Sequence, residues 1–277
     1  MNRDIDIVRA TVMRGIGLMV EKDDAQASRV IRRAAGLALS GLQSAGDAQK
    51  TAFLDVLQDA CMMLFWAGLT EGENGPAWMA FLNDEAERLE GQACSFQRSA
   101  QALLLCCAAY WEEDDERAKA HARRAYARMK ALREEKAYRL SELHWCHVLT
   151  FMHDLTDPAD IASRRALLRE TLQVSGAVLA RRAMPVERQL LCHLRLVALG
   201  GMRDICLREG RRAAAAWWVL MRGAERLRRV FFSLCSVVSN AVDDAAGALR
   251  RFLRINPAAA LFAGMMMLAL TAMRMMR

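Results

Sequence analysis

Apolar residues recur along this chain at the spacing of an α-helix, and that periodicity limits its fold more than any other feature. Ala100, Leu103, Leu104, Cys107 and Ala108 follow one another at intervals of three, one, three and one, which places them on one helical face. Runs of β-branched and aromatic residues bounded by turn residues, the mark of strands, are missing. Ala, Leu, Arg, Glu and Met dominate, and all favour helix. Only 4 Pro occur in 277 residues. The predicted class is all-α, with enough apolar residues to bury a sizeable core.

Breakers and capping residues divide the first 200 residues into nine predicted helices. They cover roughly 4–20, 23–46, 47–68, 77–90, 92–111, 115–133, 135–155, 157–183 and 185–200. Pro158 is expected in the first turn of the eighth, where its missing N–H costs nothing. Gly200 and Gly201 are expected to end the ninth. Helices of this length with short connections are antiparallel neighbours, so the body, residues 1–200, reads as an antiparallel helical hairpin stack, either a solenoid or an irregular bundle.

One segment has a repeat-like order. Leu104, the Cys107-Ala108 pair, Trp111, Ala120 and Ala127 stand in sequence as large, small, aromatic, small and small positions. This segment resembles a single tetratricopeptide hairpin. The resemblance implies that Ala108 and Ala120 let two helices approach and that Trp111 fills the groove beside them. It covers about 24 residues and departs from the family pattern in two places. Arg124 stands where an aromatic is expected, and the closing proline is absent. No second copy appears at the period of such repeats.

Charge separates the rest of the chain from this body. The first 199 residues carry 26 basic and 27 acidic residues, while residues 200–277 carry 13 Arg, no Lys and 5 acids. The whole basic surplus therefore lies in the last part, which points to an anionic partner there. Residues 201–254 form an expected Arg-rich amphipathic helical region. Its Arg residues come in blocks, including Arg226, Arg228 and Arg229, then Arg250, Arg251 and Arg254, with Trp217 and Trp218 between them and the body. Residues 255–273 hold no charge. Nineteen uncharged residues reach the lower end of the ~17–25 that span a bilayer as a helix. Leu261, Phe262, Leu268 and Leu270 are the large apolar residues expected to face lipid. Residues 255–277 are thus a candidate transmembrane anchor. The heavier Arg flank on their N-terminal side would hold the body on the cytoplasmic side. A tail that inserts conditionally, or packs on a partner protein, stays open. Small residues around Gly264 also leave a homo-oligomer open.

No reaction is legible. His144, Cys146, His147 and His153 share a helix, but only His144 and His147 share a face, and zinc needs three or four convergent ligands. Gly15-Ile16-Gly17 follows no strand and lacks the third glycine of a dinucleotide loop. The acidic run 112–116 opens a basic helix, where it complements the helix dipole. No cofactor, metal site or enzyme activity is expected. Nucleic acid is a weak fit, because the Arg blocks alternate with long apolar runs rather than lying on a polar surface. The eight Cys follow no secreted or metal-binding pattern, and the first residues show no secretion signal. An excess of 34 Arg over 5 Lys suits a GC-rich bacterial genome. The expectation is a membrane-tethered helical adaptor, at a bacterial inner membrane, that binds unidentified proteins through its body. A membrane-inserting effector, such as a pore-former or translocator, and a soluble subunit of a helical complex are the alternatives.

Overall fold

The structure, a computed structural model, describes residues 3–20, 23–67, 74–180 and 185–231. All regular structure among them is helical. The elements are α1 (Arg3–Val20), α2 (Asp24–Ser44), α3 (Asp47–Ala67), α4 (Asn74–Arg88), α5 (Ser95–Trp111), α6 (Asp115–Glu134), α7 (Glu142–Leu155), α8 (Ile161–Leu179) and α9 (Pro185–Arg208). A further helix, α10, covers 212–231.

Side-chain caps set several of the starts. Asp23 accepts from the Gln26 amide at 3.1 Å, Asp114 from Arg117 at 2.9 Å, and Asp160 from Ser163 at 3.0 Å. Each satisfies an amide that the helix itself leaves unpaired.

Several boundaries differ from the expectation, and three of them have a clear local cause. α7 begins at Glu142 and not at residue 135, because Lys136 takes a left-handed conformation (φ 55°) and stops α6. Its amide donates to the Arg133 carbonyl at 3.0 Å, and the next amide donates to Leu132 at 2.8 Å, the Schellman pattern that usually uses glycine. Pro158 lies in the turn before α8, where the Asp160 amide donates to the Asp157 carbonyl at 2.9 Å. α9 does not end at Gly200-Gly201. It runs on to Arg208 and closes at Gly210 (φ 71°), where the Arg211 amide donates to the Cys206 carbonyl at 2.9 Å.

Packing follows one row, that of the odd-numbered helices. Among the described residues α1 touches α3, α3 touches α5, α5 touches α7 and α7 touches α9, while α2 touches α4. Most helices also pack on the next one in the chain. The main core runs from Ile5, through Ile31, Leu54 and Leu103, to Leu149. Ala34, Ala35 and Ala38 of α2 and Ala100 of α5 are fully buried in it, and such small side chains let helix axes approach. Trp78 is buried and donates its indole N–H to Ser28 Oγ at 2.8 Å.

The α5–α6 hairpin corrects part of the repeat register. Leu104 and Ala108 are fully buried and Trp111 is half-buried, edge-on to Tyr110 at 4.9 Å. Ala120 and Ala127 are exposed. The inner stripe of α6 is Ala122, Ala125, Met129 and Leu132, spaced three, four and three. Ala120 lies about 200° round the helix from Ala122 at ~100° per residue, so neither Ala120 nor Ala127 meets α5.

Candidate functional site

α10 is the described helix that lies wholly within the Arg-rich region, and its two faces differ. Its sequence opens with four alanines after the Gly210 turn, a run that favours helix. The inner face is Ala215, Trp218, Arg222 and Glu225, again spaced three, four and three. Ala215 and Glu225 are buried, and Trp218 and Arg222 are half-buried.

Trp218 packs on a cluster of Leu168 from α8 with Ala198, Met202 and Ile205 from α9. Glu225, only 4% exposed, accepts from Arg195 Nε of α9 at 3.0 Å and lies 3.4 Å from Arg228. Arg195 also donates to the Leu172 carbonyl of α8 at 2.7 Å and to Ser175 Oγ at 3.2 Å. The Cys192 thiol is pushed up to about 12, first by burial and then by Glu225 beside it. One buried carboxylate thus ties α10 to α8 and α9.

The outer face carries Trp217, Leu220 and Leu227, exposed by 58%, 67% and 73%. Their spacing of three and seven places them on one stripe. Ala213, Ala216 and Ala224 fill the same stripe and are exposed. Arg228 borders the stripe, Arg212 and Arg226 lie roughly 100–140° round the helix from its centre, and Arg229, four residues after Glu225, is in phase with the inner face; all four are exposed. Residues 212–231 hold five Arg and one acid, Glu225, and that acid is buried. The outer surface of α10 is therefore apolar and cationic with no exposed carboxylate of its own.

The expected lipid-facing residues separate accordingly. Trp217, Arg226, Arg228 and Arg229 lie on exposed surface. Trp218 is the correction, since the cluster between α8 and α9 takes its ring. Arg250, Arg251, Arg254, Leu261, Phe262, Leu268 and Leu270, with the whole segment 255–273, lie outside the described residues. Leu220 belongs to the stripe although sequence reasoning did not single it out. Its position three after Trp217 was the available signal. Among the described residues no helix is long and apolar enough to cross a membrane.

The other His and Cys residues of the described helices form no metal site and no ready nucleophile. Among the described residues no three His, Cys, Asp or Glu side chains are grouped to hold a metal. His144 and His147 are buried in α7, which lowers them to about 3 and about 4. Cys106 and Cys146 are pushed up to about 12, chiefly by burial, so neither is a ready thiolate nucleophile. Gly15 lies inside α1 against Ile31, in a helix contact. Compared with models of protein families, with curated proteins and with solved structures, the chain matches none.

Proposed function

We propose that this chain is a helical scaffold held at an anionic membrane, with its body free to bind other proteins. The observation that carries the reading is the outer face of α10. Exposed Trp217, Leu220 and Leu227 form one apolar stripe, Arg228 borders it, Arg212, Arg226 and Arg229 are exposed on the rest of the helix, and the one acid among residues 212–231 is buried. An amphipathic helix with this division lies in the headgroup layer, apolar face inward. Each Arg near an anionic leaflet adds ~1 kcal/mol. The uncharged segment 255–273 supports the same reading from the sequence, as an anchor that would make attachment stable. The row of odd-numbered helices supports a hairpin stack, a shape that offers long surfaces to partners.

Cell fractionation tests it. The full chain should stay in the membrane fraction through high salt and carbonate, and deleting 255–277 should release it to salt. A full chain that is monodisperse in buffer without detergent would sink the anchor. Release of dye from vesicles on binding would favour an inserting effector over a scaffold.

A further inference from the structure

A cavity of about 390 Å³ opens between α3, the start of α7 and the start of α9. Asp55 and Asp59 of α3 and Glu187 of α9 stand on its wall, while Met62, Met63 and Leu143 make it apolar. Asp55 and Asp59 are four residues apart, so their carboxylates share one helix face. Both are raised, first by burial; Asp59 is raised further by Asp55, and Arg9 partly offsets both. Neither makes an ion pair among the described residues. No lysine or arginine is among the described residues that line the cavity. Two like charges thus share one helix face on the wall of an apolar cavity, with Arg9 acting on both from outside the lining, an arrangement that a bound cation would relieve further.

The surrounding polar groups hold the wall in place. Ser141 donates its backbone N–H to Gln58 Oε1 at 2.7 Å and its hydroxyl to Glu187 at 2.7 Å. His144 lines the same cavity, is 1% exposed, and its Nδ1 has no hydrogen-bond partner. A neutral imidazole has one ring nitrogen that accepts an N–H, and leaving such a group unpaired in the interior is unfavourable.

We propose that this cavity binds a cationic nitrogen carried on an aliphatic stem, a guanidinium or ammonium group. The stem lies along Met62, Met63 and Leu143, as long basic side chains do on apolar surface. The cationic head donates to Asp55 and Asp59 in charge-assisted hydrogen bonds. The source is either an Arg or Lys side chain of a protein partner or a free polyamine, since both carry this chemistry. The site uses no residue of α10 and stands or falls separately from the membrane reading.

Titration of the full chain with n-butylguanidinium, against its neutral isostere n-butylurea, tests the proposal by calorimetry and by the ring-proton resonances of His144. The expected result is saturable binding of the cation that shifts His144, with n-butylurea much weaker. The isosteric double variant Asp55→Asn/Asp59→Asn, at exposed positions, keeps its helical spectrum and weakens the cation by about tenfold or more. A blocked arginine peptide and spermidine are then compared, and the tighter one identifies the source. Equal binding of n-butylurea, an unchanged affinity in the double variant, or no saturation at millimolar cation would overturn it.

Discussion

Gly200 and Gly201 are neighbours in α9 with opposite tolerance for a side chain. A Cβ on Gly201 would come 2.8 Å from Leu168 Cδ1, and Leu168 is fully buried. A Cβ on Gly200 would meet only the Arg222 guanidinium, at 3.6 Å. Gly201→Ala should therefore lower stability by about 1–3 kcal/mol through overpacking. Gly200→Ala should be neutral or raise stability by up to about 1 kcal/mol, because alanine favours helix. Urea unfolding of the two variants checks this, and equal effects would contradict the packing. His144 and His147 add a pH dependence at the same scale. Burial lowers them to about 3 and about 4 from 6.5, and a neighbouring histidine adds to the shift in each. The unfolded chain takes up these protons below pH 6.5 while the folded chain does not. Stability from this source is complete above 6.5 and falls as the pH drops towards 4, by about 1.4 kcal/mol per pH unit for each histidine. Urea midpoints at pH 7 and pH 5 measure it, and His144→Leu should flatten the slope.

The elements show what was legible in the sequence and what was not. The helix starts expected at residues 23, 47 and 115 follow from local chemistry, and the structure starts α2 at Asp24, α3 at Asp47 and α6 at Asp115. The start of α7 was hidden because Lys136 takes the left-handed position that usually signals itself as glycine. The end of α9 was misplaced because Gly200-Gly201 reads as a stop, yet Gly201 serves a close approach to α8. The inner phase of α6 was missed because Ala lies on both of its faces. The tie of α10 to the body joins Arg195 and Glu225, which are 30 residues apart, and no local pattern announces such a pair. That tie makes a prediction. Glu225→Ala leaves the half-buried Arg195 guanidinium without its carboxylate, with only the Leu172 carbonyl and Ser175 Oγ as acceptors, and should cost about 3 kcal/mol, read as faster amide exchange in α10, while Arg195→Met/Glu225→Leu should cost much less. The outer face makes another. In a chain ending at residue 254, Trp217→Ser/Leu220→Ser/Leu227→Ser should weaken binding to anionic vesicles at least about tenfold. Its melting temperature should barely change, since all three side chains are exposed. Unchanged vesicle binding would remove the stripe from the proposed contact.

On the scale of the whole molecule, a row of odd-numbered helices leads to α10, whose inner face packs on α8 and α9 and whose outer face is apolar and basic. The all-α class followed from periodicity, and the contacts among odd-numbered helices did not, because they join residues far apart in sequence. The division of charge was legible: a near-neutral body and an Arg-only surplus after it. That one Arg-rich helix, α10, docks on α8 and α9 through Trp218 and the buried Glu225 was not legible. The account's central claim is that this end of the chain holds the body on an anionic membrane. Vesicle flotation of the full chain tests it most directly, with phosphatidylglycerol-containing vesicles compared with pure phosphatidylcholine. The account predicts flotation with the anionic vesicles that survives high salt and carbonate and releases no trapped dye. A full chain that stays at the bottom of the gradient with both kinds of vesicle would contradict it.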